Sequence, residues 1–197
     1  KEFYILSPLG FISALMIGLA HSALFGFGAV YVSSKGFSLF EISIFMVTIS
    51  SFGALSQWPI GYLSDKIDRR VILIGITFIA AGLSIFIVIS SYLSFILFII
   101  LSGIFSAMSL PMFSVAVAHV NDFLESNEII SASSTFNILI GVGSILGPIF
   151  VSSSMTLVGP NGFFIYLFLI HASLGLFGLY RMTRRVKPRD LESQYIP

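Results

Sequence analysis

The sequence predicts an all-α membrane protein with six transmembrane helices, and three observations carry that prediction. No Asp, Glu, Lys or Arg occurs at positions 3–34, 42–64, 71–121 or 129–180. A helix needs about 20 predominantly apolar residues to cross a bilayer, so the first two stretches hold one crossing each and the last two hold two each. The chain is 56% hydrophobic and 10% charged, with a mean hydropathy of +1.02, whereas a soluble domain carries about 25% charged residues. Turn chemistry falls where the crossings should be joined: Ser33-Ser34-Lys35-Gly36, the charged run at 65–70, Ser90-Ser91-Tyr92, the acidic stretch at 121–128, and Gly159-Pro160-Asn161-Gly162. Hydrocarbon offers no water to satisfy a backbone N–H or C=O, which leaves helices or closed barrels as the spanning structures.

The first helix is expected over 8–33 and carries Ala14, Gly18, His21, Phe25 and Gly28 at helical spacing on one face. His21 lies near its middle. An ionisable group at that depth is a candidate functional site, and imidazole exchanges a proton near neutral pH. The alternative is a neutral ring bonded to a nearby serine or backbone carbonyl. The second helix, 39–64, presents Ser50, Ala54, Gln57 and Gly61 together, with Gln57 read as helix-to-helix glue. Pro59 removes a backbone bond and should bend this helix near its end.

The third and fourth helices, 71–90 and 93–119, are separated only by the short polar turn at Ser90-Ser91-Tyr92. The fourth holds Pro111 among Met108, Ser109, Met112 and Ser114, and ends near His119. The fifth, 128–154, aligns Ser133, Asn137, Gly141, Ser144 and Pro148, beside Gly143 and Gly147. The Gly143-x-x-x-Gly147-Pro148 element permits close packing followed by a kink; Asn137 either lines a cavity or bridges helices. The sixth, 162–181, contains His171 near its centre, read as a packing histidine. Residues 1–181 then form the bundle and 182–197 a basic tail.

Orientation follows from Lys and Arg at the helix ends. Lys1, Lys66, Arg69, Arg70, Arg181, Arg184, Arg185, Lys187 and Arg189 fall on one side and Lys35 alone on the other. The first side, with both chain ends, is therefore expected in the cytoplasm of a cell bounded by an inner membrane. Trp58, Tyr62 and Tyr180 would anchor the inner interface, and Tyr31 and Tyr92 the outer one. Segregated basic residues of this kind belong to membrane edges and not to a nucleic-acid surface. The chain has no cysteine, which excludes disulfide and thiolate chemistry. It also lacks paired intramembrane aspartates, His-Glu-x-x-His and Gly-x-Ser-x-Gly, so no enzyme is expected. It opens on Lys1 rather than Met, and its first apolar segment is too long for a signal-peptide core. That start reads as a cut through a longer protein, with a trimmed natural terminus as the alternative.

The most specific motif is Gly61-Tyr62-Leu63-Ser64-Asp65-Lys66-Ile67-Asp68-Arg69-Arg70. Gly61 and Asp65 sit one helical turn apart, so a missing side chain and a carboxylate share a face. The glycine would admit a neighbouring helix, and Asp65 would accept hydrogen bonds from that helix's N-terminal amides. Arg69 and Arg70 supply planar forks able to clamp carboxylates. Together with Lys66 they describe a cytoplasmic gate, unless the loop is only a basic anchor. The loop at 121–128 brings three acids, and Asp122 or Glu128 is the expected partner for Arg69 or Arg70. An exposed pair of that kind contributes about 0–1 kcal/mol, enough to bias a conformational equilibrium.

This Gly-x-x-x-Asp-Lys-x-x-Arg-Arg pattern resembles the signature loop between helices two and three, and between eight and nine, of the major facilitator superfamily. Here Asp68 stands where that family usually has glycine. Gln57-Trp58-Pro59-Ile60-Gly61, His119-Val120-Asn121-Asp122 and the Phe163-to-Arg185 segment are similar to its YcaD-like branch. The resemblance spans essentially the whole chain and implies one half of a major facilitator-type bundle, the C-terminal six helices. It further implies secondary transport by alternating access, with a site near the midplane. The expected partners are the lipid bilayer, an N-terminal six-helix half and a small solute, with no cofactor. Because the first and fourth helices of a half face the cavity in this family, His21 becomes the candidate for solute contact or proton coupling. The Gly143–Pro148 element matches the family's antiporter motif only in part, so antiport does not follow. The competing reading is a self-standing six-helix protein, a channel or assembly factor, that pairs with its own copies.

Overall fold

The computed structural model describes residues 7–124 and 129–183. Lys1, Glu125, Glu128, Arg184, Arg185, Lys187 and Arg189 lie outside them. The described residues form seven α-helices: α1 Pro8–Ser34, α2 Leu39–Lys66, α3 Arg69–Ser90, α4 Phe95–Ser109, α5 Met112–Asn121, α6 Ile129–Val158 and α7 Gly162–Met182. By length and composition they provide six membrane crossings, α4 and α5 together making one.

Local chemistry explains where each helix starts and stops. Ser7 caps α1 by accepting the Gly10 amide at 3.2 Å, with Pro8 just inside the first turn. Gly36 turns the chain out of α1 at φ +83°, a left-handed conformation that glycine adopts without a Cβ clash. Ser38 and Glu41 then form a reciprocal capping box on α2. Asp68 caps α3 by accepting the Arg70 amide at 2.9 Å. Its φ of −50° needs no glycine, so the aspartate in the family's glycine position leaves the turn tight. Pro111 interrupts the fourth crossing: α4 stops at Ser109 and α5 starts at Met112. Pro59 and Pro148, by contrast, sit inside continuous helices.

The main helix pairs are α1 on α6, α3 on α7, α2 on α4 and α3 on α4. Small residues set the first of these. A side chain at Gly18 would strike the Ile140 carbonyl, and one at Gly143 would strike the Leu15 carbonyl, with the two glycine Cα atoms in close approach. A side chain at Gly147 would meet Ser22 and the Leu19 carbonyl. With no hydrophobic effect to drive helices together in lipid, this backbone proximity supplies the van der Waals contact.

Two apolar clusters fill the bundle. One gathers Tyr31, Phe45, Phe98, Phe105, Phe163 and Phe164 toward the Lys35 end. The other gathers Leu9, Ile72, Met112, Val120, Phe136 and Leu174 toward the arginine-rich end. Tyr31 belongs to this packing rather than to an interface: it is fully buried, stacked 5.1 Å from Phe163 and edge-on to Phe164. Alternation of depth along a helix cannot distinguish an inward tyrosine from an outward one, and here the ring points inward. Tyr92, Trp58, Tyr62 and Tyr180 are all exposed. In α1, α3 and α7 about half of the crossing is buried, but in α2 and α6 only 17%.

Candidate functional site

The charged end of the bundle is organised by Arg69. Its guanidinium reaches Asp65 at 2.9 Å and Asp122 at 3.2 Å, joining the end of α2 to the segment after α5. Arg70 is buried and folds back on Asp68, Nη2 to Oδ2 at 2.8 Å and Nε to Oδ1 at 3.1 Å. Removing a buried guanidinium from water is offset only by such a close carboxylate. Lys66 lies over the Tyr62 ring at 4.3 Å. The second proposed partner, Glu128, lies outside the described residues.

Two expectations for this cluster take a different form. No atom lies within 4 Å of where a Gly61 side chain would begin, so the glycine admits no helix of this bundle. Asp65 is exposed and pairs with Arg69 one turn onward instead of receiving a neighbouring helix N-terminus. Both groups project from α2, whose outward face meets no helix of the described bundle.

Farther along the bundle, polar side chains occupy the exposed sides of α2, α5 and α6. Ser114 donates to Gln57 Oε1 at 3.5 Å, linking α5 to α2. On the other side of α5, Phe113, Val117 and Asn121 face Ser133, Phe136 and Asn137 across a groove of about 110 Å³. Asn137 is exposed there. The α1 stripe divides between two environments. Ala14, Gly18 and Gly28 are buried, whereas Phe25 is 43% exposed and His21 half-buried. Gly18, on the same face as His21, lies in the backbone contact with α6.

His21 donates from Nε2 to the Ser109 carbonyl at 3.1 Å. His171 is fully buried, donating from Nδ1 to the Leu167 carbonyl at 2.7 Å while its Nε2 meets Ser109 Oγ at 2.9 Å. Ser109 carries no motif that would announce it; only its place two residues before Pro111 hints at an exposed carbonyl. Among the described residues no group of three or more His, Asp or Glu side chains is placed to hold a metal.

Comparison with known proteins adds a family. The sequence profile of the Major Facilitator Superfamily matches residues 9–195. Proteins described as uncharacterized MFS-type transporter YcaD, from Escherichia coli O139:H28 (strain E24377A), O9:H4 (strain HS) and strain K12 / DH10B, are each 28% identical over 176 residues. Those matches cover 89% of this chain and 44% of each relative. The chain thus spans under half the length of the curated relatives it matches. No solved structure matches it.

Proposed function

The chain belongs to the Major Facilitator Superfamily, and from that premise we propose that it forms one six-helix half, the C-terminal one, of a secondary transporter that moves a small solute by alternating access. Family membership points to transport and away from catalysis. The observation that carries the reading is the Arg69 bridge between Asp65 and Asp122 at one end of the bundle. It is a contact between charges that are partly exposed, so it can form and part at little cost as helices move. Gly61, Lys66 and Arg70 complete this gate, which lies on the cytoplasmic side of an inner membrane by the Lys and Arg asymmetry. Glu128 remains a candidate partner from the same loop.

The sparse burial of α2 and α6 supports a companion half. Their outward sides carry Ser50, Gln57, Ser133 and Asn137, hydroxyls and amides that gain nothing from facing lipid tails. A matching bundle against these faces would enclose the groove at Asn137 and the half-exposed His21 and Phe25, making the solute cavity. His21 is its proton-coupling group. In this reading the six crossings from Pro8 to Met182 are the bundle of that half.

The decisive experiment is Asp65→Asn in the full-length protein, reconstituted in vesicles. Transport is expected to fall while the amount of folded protein stays the same; undiminished transport would remove the gate. Replacing His21 with alanine should alter the pH dependence of transport, and an unaltered profile would dismiss coupling at that site. The reading of a self-standing protein paired with its own copies draws on the same exposed faces. The coding sequence upstream of Lys1 separates the two: six further crossings are expected, and their absence favours self-pairing.

A further inference from the structure

We infer that His21, Ser109 and His171 form a single hydrogen-bonded unit across the Pro111 break, in which His171 is a positioning residue that holds the Ser109 carbonyl against His21. The inference rests on the reading of His21 as the coupling group and adds how that group is held and to what it is tied.

The chain of reasoning begins with the break. The last four carbonyls of a helix have no intrahelical amide to accept. In a membrane span each such carbonyl must find another partner or remain unsatisfied in hydrocarbon. Where α4 ends, the Leu110 amide pairs with the Ser106 carbonyl and the Phe113 amide leans to Leu110 at 3.4 Å. The Ser109 carbonyl is met by His21 Nε2 from α1. A carbonyl only accepts, so His21 carries its proton on Nε2.

The same rule fixes the second ring. The Leu167 carbonyl requires His171 to carry a proton on Nδ1, which leaves its Nε2 a bare acceptor in the neutral ring. Ser109 Oγ, at 2.9 Å, is the donor to it. One serine therefore serves α1 through its carbonyl and α7 through its hydroxyl. Ser109 and His171 are both fully buried, and Phe105 seals the His171 ring edge-on at 5.3 Å. With the hydroxyl held by α7, the peptide before Leu110 cannot swing its carbonyl away from α1. Motion of α1 against the α4–α5 break breaks the His21 contact, so the bond reports the angle of the break.

No fixed charge competes at this depth among the described residues. Within the crossings, α1 adds only Tyr31, and α7 adds Tyr166, whose hydroxyl donates to the Leu19 carbonyl at 3.2 Å. Neither α4 nor α6 has a titratable side chain. Those of α2 (Glu41, Tyr62, Asp65, Lys66), α3 (Arg69, Arg70), α5 (His119) and the end of α7 (Tyr180, Arg181) sit near helix ends.

The test is nuclear magnetic resonance of the ¹⁵N-histidine-labelled full-length protein in detergent, read for tautomer and solvent exchange. In the wild type, His171 is expected as the Nδ1–H tautomer and His21 as an exchange-protected Nε2–H. Ser109→Ala and His171→Phe should each speed exchange at His21 about tenfold, the loss of one ordering hydrogen bond. His171→Gln places an acceptor near the lost Nε2 and should restore protection to within about twofold of wild type. Wild-type protection in Ser109→Ala or His171→Phe, or no rescue by glutamine, overturns the inference. So does a wild-type His171 protonated on Nε2. Should His171→Phe fail to yield a monodisperse protein, Ser109→Ala and the wild-type tautomers decide alone. These spectra are independent of the transport measurement on His21→Ala, so a failed unit and a failed coupling role give different results.

Discussion

Individual residues in this chain act through what they leave out as much as through what they contribute. At Gly143 even a methyl group would enter space held by the Leu15 carbonyl and the Gly18 backbone. Neither obstacle is a flexible side-chain end, so α1 and α6 would have to separate. Gly143→Val is expected to destabilise the bundle by about 3 kcal/mol, the upper end for overpacking, seen as a lower unfolding temperature in detergent. Gly141, two residues away, meets nothing within 4 Å, and Gly141→Ala should leave that temperature nearly unchanged. The sequence singled out Gly143 and Gly147 by their spacing as a close-packing pair, but which helix they meet followed only from the rotation of α6 against α1. Arg69 makes the opposite case. Complementary charges in the two loops narrowed the pairing to Asp122 or Glu128 with Arg69 or Arg70, and packing selected Arg69 with Asp122. A double-mutant cycle on that pair should return a coupling of about 1 kcal/mol or less, since both side chains are partly exposed.

Whole elements depend on their ends. The capping box at Ser38 satisfies two amides at the start of α2, with Ser38 N to Glu41 Oε2 at 2.8 Å. Ser38→Ala is expected to lower stability by about 1 kcal/mol, measurable by thermal unfolding. Across the same end of the bundle, Lys35 Nζ sits 3.7 Å from the Tyr92 ring centroid and Asn161 donates to the Tyr92 hydroxyl at 2.9 Å, so one tyrosine joins three connections between helices. Lys35, and after it Asn161, hold the Tyr92 phenol below its ordinary value, because both favour the phenolate. A lowered value means that Tyr92 loses its proton earlier as pH rises. Lys35→Met should move its midpoint back up toward about 10, followed as the phenolate absorbance that Tyr92→Phe abolishes. The turn sequences announced where helices end, but the meeting of three turns on one ring followed only from packing.

At the scale of the molecule, an open side dominates. Four crossings bury about half their residues and two bury few, leaving α2 and α6 with apolar and polar groups side by side at the surface. A bulky residue on such a face should disturb assembly without disturbing the bundle. Ala54→Trp is expected to leave the unfolding temperature of this chain within about 1 °C, in keeping with the small effect of a surface change, while abolishing its co-purification with the proposed companion half when the two halves are expressed as separate polypeptides. Retained co-purification would place the contact with that companion on another face.

Hydrophobicity and segregated charge alone determined that this chain crosses a membrane six times as helices, because a long, uniformly apolar stretch without a barrel strand's alternation satisfies its backbone in lipid as a helix. The contiguous motif from Gly61 to Arg70 carried the resemblance to its family, and the profile match over residues 9–195 showed it. Tertiary structure decided the rest. It chose which side of each helix faces inward, sent Tyr31 to the core, left Gly61 open, and brought His21, Ser109 and His171 together from 88 and 62 residues apart. In lipid, apolar residues suit either side of a helix, so composition fixes that a span exists but not its rotation; close packing and the few polar groups needing partners fix that.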